Sequence, residues 1–455
     1  MGITETLAQK VVGTTYESLP ESVVNVAREV LLDGTANMLA GSQEPLGHIM
    51  SSYVHSTQGP PQATVVGHDF KTNVATAALA NGTFCHSMDF ELMWYPPTHP
   101  TGPTLPAFLA LAEHRGFTGK DVVVALAVGF EIQGRLRVTQ VGSGMPDPLH
   151  YPGSVGLLGS TAACARLLGL DVWKTRMALG IAGSRVSAIG ANTGTMTKST
   201  HCGNSARMGA ECALLAEAGF TGNEDILETQ GGYNSVFFKG GLNLDLLLQD
   251  FGDPYRMVDP GLNVKKYPAQ YFTHWTIDAT LDVRRKNNIM PEDIEHVEVE
   301  VGADNMAADR WPKTGLDGKF SIPYTVSAAL LDGKVVIDTF RDERRFAPDM
   351  EAMLDRISFV KNPNIIAQDF AKAWSRVTVQ TKDGKSYSSR VDRPLGIWDN
   401  PLPWQGRLDK FHDCASRVLL ERQANEVVGL IERFETLDSV QPLMDLLRVP
   451  TAASK

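Results

Sequence analysis

Cysteine is scarce in this 455-residue sequence: Cys85, Cys164, Cys202, Cys212 and Cys414 are scattered, odd in number and never spaced as CxxC. That pattern argues against a disulfide framework and for reduced thiols, as in a cytoplasm or, in a eukaryote, a mitochondrial matrix. Long apolar runs are missing as well. No stretch reaches the roughly 18 apolar residues of a membrane-spanning helix, and the opening MGITETLAQKVVG has no core of signal-peptide type. Basic charge is in deficit: the formal net charge is -10. A nucleic-acid or membrane partner is therefore not expected, since both want a broad basic face. A small anionic substrate is still compatible, because a few Lys, His and Arg side chains can dominate one cleft. HExxH, EF-hand and Walker A motifs are absent. The run GSGMPD starts like a dinucleotide fingerprint, but Asp147 stands where the third glycine belongs. GNSARMG has Arg207 where a nucleophile elbow needs glycine, so Ser205 reads as a residue at a helix start.

Apolar residues make up 43% and charged residues 21%, the composition of a globular protein, and the length suggests two domains. The first part is helical in pattern. PESVVNVAREVLLDGTANMLAG carries apolar residues at three- and four-residue spacing, with Pro20 in the first turn and Gly41 as a stop. NVATAALANGTFCHSM is Ala-rich and apolar nearly all round, so it predicts a buried helix. GPTLPAFLALAEHRG, GKDVVVALAVGFEIQGRL, GSVGLLGSTAACARLLGL, DVWKTRMALGIAGSRVSA and NSARMGAECALLAEAGF continue in that style, with small residues that permit close helix packing. The texture then changes. EHVEVEVG alternates with period two, SIPYTVSAALLDGKV reads as a helix, and SRVTVQTKDGKSYSSRVD as a hairpin turning at Asp383-Gly384. The tail returns to helix. The expected fold is mainly α with an α+β second domain: a large helical domain over 1–264, a smaller α+β lid domain over 265–395, and C-terminal helices over 396–455 packing back on the first.

Four segments hold polar residues that the periodicity does not call for. HSMDFELMWYPPTHPTGP carries Asp89 and His99, DPLHYPGSVG carries His150, TMTKSTHCGNSARMG carries Lys198 and His201, and KKYPAQYFTHWTIDA carries Lys266, Tyr267 and His274. A helix starting at Gly-Asn-Ser, with Lys198 and His201 just ahead of it, would suit a carboxylate or phosphate. His274, early in a helix, can titrate near neutral pH and move protons. The plainer readings are a cap for Asp89, a solvated loop for Lys198, a rigid turn for the prolines, and either core packing or a pocket edge for His86.

Taken together, ANGTFCHSMDFELMWYPPTHPTGPTLPAFLALAE, GFEIQGRL, HYPGSVGLLGSTAACARLLGL, TKSTHCGNSARMGAECALLAEAGFTG, KKYPAQYFTHWTIDA and FSIPYTVSAALLDG resemble the MmgE/PrpD family, over nearly the whole chain and in order. That family includes 2-methylcitrate dehydratase, cis-aconitate decarboxylase and iminodisuccinate epimerase, and the likeness is greatest to the decarboxylase branch. The resemblance implies a helical domain with an α+β lid, usually as a homodimer, with a site between the domains and no metal or organic cofactor. It implies site positions at Asp89, His99, His150, Lys198 and His274, with Tyr324 as a further candidate and His201 and Arg207 as neighbours. The shared chemistry is proton movement at a carbon next to a carboxylate of a small di- or tricarboxylic acid. In that scheme Lys198 and His150 bind carboxylates, and His99 and His274 act as acid and base. Asp89 orients a histidine or a helix end, and Tyr324 donates a hydrogen bond. One departure stands out: dehydratase and decarboxylase members carry an acid and a threonine where this chain has Leu92 and Met93. Decarboxylation of a cis-aconitate-like acid is the leading expectation. Dehydration, epimerisation, or carboxylate binding without catalysis are the alternatives.

Overall fold

The computed structural model describes residues 2–140, 149–308 and 310–449. The GSGMPD run lies outside them. The chain forms two compact units, one of Met1–Ser87, Glu91–Leu262 and Trp404–Lys455, the other of Met88–Phe90 and Asn263–Pro403. Nineteen α-helices and one four-stranded sheet among the described residues give the expected class, mainly helical with an α+β part. No described helix is long and apolar enough to cross a membrane. All five cysteines are buried thiols.

In the first unit the Val74–His86 helix is central. Asn73 caps it by accepting from the Thr76 amide at 2.9 Å. Its Ala- and Gly-rich surface is buried on almost every side, so it sits in the core rather than at the edge. The Thr197–Glu217 helix crosses it at Gly203. A Cβ on Gly203 would lie 2.4 Å from the Leu79 carbonyl oxygen and 2.2 Å from Thr83 Oγ1, and one on Gly82 would lie 2.9 Å from the Gly203 Cα. The two backbones are therefore nearly in contact, which only glycine permits. This overturns the expected helix start at Gly203-Asn204-Ser205: those residues lie well inside the helix, and the glycine is there for packing. The Glu21–Ser42 helix ends one residue after Gly41, as the sequence suggested, and the glycine also serves packing: a Cβ there would lie 2.0 Å from the Phe84 carbonyl oxygen. Pro20 is the residue just before that helix. The Trp404–Ala415 helix packs on the same Glu21–Ser42 helix, where Lys410 Nζ meets Asp33 Oδ2 at 2.5 Å, both side chains buried.

In the second unit the strands run in the spatial order Ile357–Asn362, Ile294–Gly302, Ser375–Thr381, Ser386–Val391. The first pair is parallel and the other two are antiparallel. Val297, Val299 and Val301 face inward and Glu298 outward, the alternation the sequence announced. The His274–Lys286 and Ile322–Asp332 helices cover that inner face through Ala279, Val283, Ile322, Val326 and Leu330. The hairpin turns at Gly384 with φ +84°, a left-handed conformation that suits glycine. Sequence periodicity did not reveal the edge strand Ile357–Asn362.

Candidate active site

Within the first unit, four histidines converge from different parts of the chain. His86 ends the Val74–His86 helix. His99 lies in the loop before the Thr101–Arg115 helix, a loop closed by the Trp94 amide donating to the Thr98 carbonyl at 2.9 Å. His150 precedes a short 3-10 turn, Tyr151–Gly153, and its amide donates to the Ala188 carbonyl at 2.7 Å. His201 sits in the first turns of Thr197–Glu217. Ring centroids are 4.7 Å apart for His86 and His99, 5.3 Å for His86 and His150, 6.1 Å for His99 and His150, and 5.2 Å for His150 and His201. His150 Nδ1 and His201 Nδ1 are 3.1 Å apart, so one nitrogen carries the proton that the other accepts.

Lys198 lies in the first turn of the same helix as His201, and both side chains are buried. Burial, and then the nearby Lys198 ammonium, hold the His201 imidazole below the ordinary histidine value. Lys198 and His201 thus lie inside the N-terminal turns of this helix rather than ahead of its start. Ser205 Oγ donates to the Pro152 carbonyl at 2.8 Å, tying this helix to the segment that follows His150. Arg207 is partly exposed and faces Glu211 at 3.7 Å, a residue that Arg185 also engages at 2.6 Å. It belongs to a surface ion-pair group on this helix.

Glu91 is the residue that sequence reasoning undervalued. Its carboxylate is wholly buried and meets His86 Nδ1 at 2.5 Å, and the Gly102 amide donates to its other oxygen at 2.5 Å. The thiols of Cys85 and Cys202 approach it at 3.7 and 3.9 Å. Burial, and next the Glu91 carboxylate, push the Cys85 thiol well above its ordinary value, so it stays protonated. The available signal was a pair of polar residues, five apart, across the end of an otherwise apolar helix. Two sets of side chains here have ligand atoms close enough to hold a metal ion, His86 with His99 and His150, and His86 with Glu91 and Cys202.

The second unit holds the other three expected residues. Asp89 lies in the Met88–Phe90 segment of this unit, shortly after His86. It is ion-paired with Lys265, whose Nζ lies 2.8 Å from Asp89 Oδ2 and 2.6 Å from the Asp89 carbonyl oxygen. Its backbone takes a left-handed φ of +54°, and Lys319 Nζ donates to the adjoining Met88 carbonyl at 3.1 Å. His274 opens its helix, fully buried between Tyr271 at 4.7 Å and Tyr267 at 5.2 Å. The Tyr267 hydroxyl donates to Asp278 at 2.6 Å, and Lys266 reaches the same carboxylate at 3.1 Å. Burial and Asp278 raise the Tyr267 phenol. Tyr324 lies in the first turn of the Ile322–Asp332 helix. Its hydroxyl donates to the Thr339 carbonyl, its ring is fully buried, and burial raises its phenol. A cavity of about 650 Å³ in this unit is lined by Lys266, Asp278, Arg284 and Arg393, among others, and by none of the expected site residues.

Residues 5–244 match the profile of the MmgE/PrpD N-terminal domain and residues 267–435 that of the MmgE/PrpD C-terminal domain. A cis-aconitate decarboxylase of Homo sapiens is 30% identical over 460 residues, covering 99% of this chain and 95% of that protein. One from Aspergillus terreus is 24% identical over 475 residues, covering 99% and 96%. A 2-methylcitrate dehydratase of Cupriavidus necator is 24% identical over 426 residues, covering 84% of each. These relatives are named as decarboxylases and a dehydratase, all lyases. With both domain profiles matched in order along its length, the chain belongs to the MmgE/PrpD family.

Proposed function

We propose that this protein is a cofactor-independent lyase of a small di- or tricarboxylic acid, and that its reaction is decarboxylation of a cis-aconitate-like substrate. The observation that supports this most is the grouping of half-buried His99 and His150 with buried His201, and with Lys198 on the same helix as His201. A cluster of imidazoles beside an ammonium favours anions, and its charge can stabilise the electron pair that develops next to a carboxylate. In the reaction, one carboxylate leaves as carbon dioxide. The bonding pair stays on the carbon skeleton as an enolate-like species, and a histidine delivers the proton that quenches it.

In this reading Lys198 and His150 hold carboxylates and His99 moves the proton. His274, between its two tyrosines, is the acid/base candidate of the second unit. Asp89 holds Lys265, and Tyr324 holds the turn at Thr339. The enzyme is read as a cytoplasmic homodimer, or a matrix one in a eukaryote. The similarity to 2-methylcitrate dehydratases keeps dehydration of such an acid as the second reading, and the buried, apolar Leu92 and Met93 are where this chain departs from both branches.

Incubation in D₂O with cis-aconitate, 2-methylcitrate and an iminodisuccinate-type acid, followed by proton NMR, tests the proposal. Loss of carbon dioxide from the first supports it. Loss of water, or deuterium exchange without net change, replaces it with dehydration or epimerisation. If these acids raise the melting temperature but none is consumed, the protein binds carboxylates without catalysis and the proposal fails.

A further inference from the structure

The pair formed by Glu91 and His86 is built more carefully than packing requires. Burying a carboxylate costs several kcal/mol unless partners replace its water. Here one oxygen faces His86 Nδ1 and the other accepts from the Gly102 amide, both at 2.5 Å. A Cβ on Gly102 would lie 3.1 Å from each carboxylate oxygen, so the approach is as tight as a glycine allows. A glutamine has a single acceptor oxygen and would turn its NH2 toward one of these N–H groups, so only a carboxylate accepts from both. The carboxylate also adds its negative charge, placed behind His86 in a region closed to water. His86 in turn sets its ring edge-on to His99, with interplanar angle 70°, and tilted 42° to His150. Ser199 Oγ donates to the His86 carbonyl at 3.5 Å, so the pair is also tied to the helix that carries Lys198 and His201.

We propose that Glu91 and His86 form a buried positioning dyad, in which the carboxylate fixes His86 as an Nδ1–H donor and holds positive charge on the neighbouring imidazoles His99 and His150. The proposal deepens the reading of this cluster as the active site and rests on it for its catalytic consequence. The dyad touches no reacting atom in this scheme. It acts through the two histidines that do.

The direction of its effect follows from Coulomb's law. A negative charge nearby favours the imidazolium, so removing it lowers the protonation midpoints of His99 and His150. With His86 lying between the charge and the two rings, and at an effective dielectric of about 20, the effect is on the order of one unit in their midpoints. The other charged or titratable groups facing the dyad are Cys85 on its own helix, Cys202, Lys198 and His201 on the Thr197–Glu217 helix, and Asp33, already paired with Lys410. Glu91→Gln also removes the carboxylate's share of the upward push on the Cys85 thiol, but burial, the larger cause, keeps that thiol protonated and uncharged.

The test uses the full chain labelled with ¹⁵N-histidine, with signals assigned by single His→Gln variants. In the wild type the dyad requires His86 to carry a proton on Nδ1 at neutral pH, and finding the Nε2–H tautomer overturns it without any variant. In Glu91→Gln the midpoints of His99 and His150 should fall by about one unit, while in Glu91→Asp, which keeps the charge, they should stay near wild type. Both limbs of the pH profile of kcat/KM on the true substrate should move down with them. A structural role alone would lower activity without moving the profile, and unmoved midpoints overturn the proposal. Because the NMR readout needs no turnover, a wild type that consumes no acid defeats the proposed function while leaving the dyad separately decided.

Discussion

Replacing Gly203 by alanine sets two effects against each other. Inside a helix, Gly→Ala gains about 1 kcal/mol of backbone propensity. At Gly203 the new Cβ would lie 2.4 Å from the Leu79 carbonyl and 2.2 Å from Thr83 Oγ1. Ordinary contact begins about 1 Å further out, and the Leu79 oxygen is helix backbone that cannot rotate away. Overpacking of this kind costs about 1–3 kcal/mol, and with backbone in the way the upper figure applies. The net expectation is a loss of about 2 kcal/mol, a fall in melting temperature of about 4 °C for a unit of this size. The two helices pushed apart carry His86 on one side and Lys198 and His201 on the other. A displacement near 1 Å should therefore also reduce turnover by about 10²-fold. Gly429 is the internal control: it lies in the Glu421–Ile431 helix with nothing within 4 Å of its missing Cβ. Gly429→Ala should stabilise by up to about 1 kcal/mol and leave activity intact. Calorimetry and a rate assay on both variants decide the matter, and a Gly203→Ala protein as stable as Gly429→Ala would refute the packing argument.

Lys410→Met should cost about 3–5 kcal/mol, because it leaves the Asp33 carboxylate buried without its cation. Denaturant titration measures this, and adding Asp33→Asn should recover much of the loss if the charge is responsible. Lys198→Met should raise the protonation midpoint of His201 toward the ordinary value, leaving only the burial effect, as followed by NMR; an unmoved or lower midpoint contradicts it. The sign carries over to stability. A histidine held below its unfolded value destabilises the fold as pH drops below about 6.5, since the unfolded chain then binds more protons. Lys198→Met should soften that acid loss in urea titrations at pH 5 relative to pH 7.

The α+β unit was legible where local pattern and burial coincide. Val297, Val299 and Val301 alternate with glutamates, and Asp383-Gly384 sits between two β-branched runs. The edge strand Ile357–Asn362 was hidden because its parallel partner is some sixty residues away and its own six residues barely alternate. The helix Thr197–Glu217 was read as starting late for a related reason. Thr-Lys-Ser-Thr has no apolar period, whereas Gly-Asn-Ser has the chemistry of a cap, and only the neighbouring helix reveals why residue 203 has no side chain. Among the site residues, His99, His150, Lys198 and His201 could be picked out as polar residues in places where periodicity asks for none. Glu91 stands out in the same way as an acid in an otherwise apolar segment, but its partner, His86, is visible only in the fold. Tyr324 shows the reverse: a motif residue whose hydroxyl is already engaged by Thr339.

The central claim, that the imidazoles beside Lys198 receive a carboxylate, is tested most directly by titrating the labelled protein with tricarballylate, an unreactive tricarboxylate, and following the histidine resonances. The account predicts saturable shifts at His99, His150 and His201 in the wild type, weakened strongly in Lys198→Met. Saturation that leaves those three signals in place, or binding indifferent to Lys198, would contradict it.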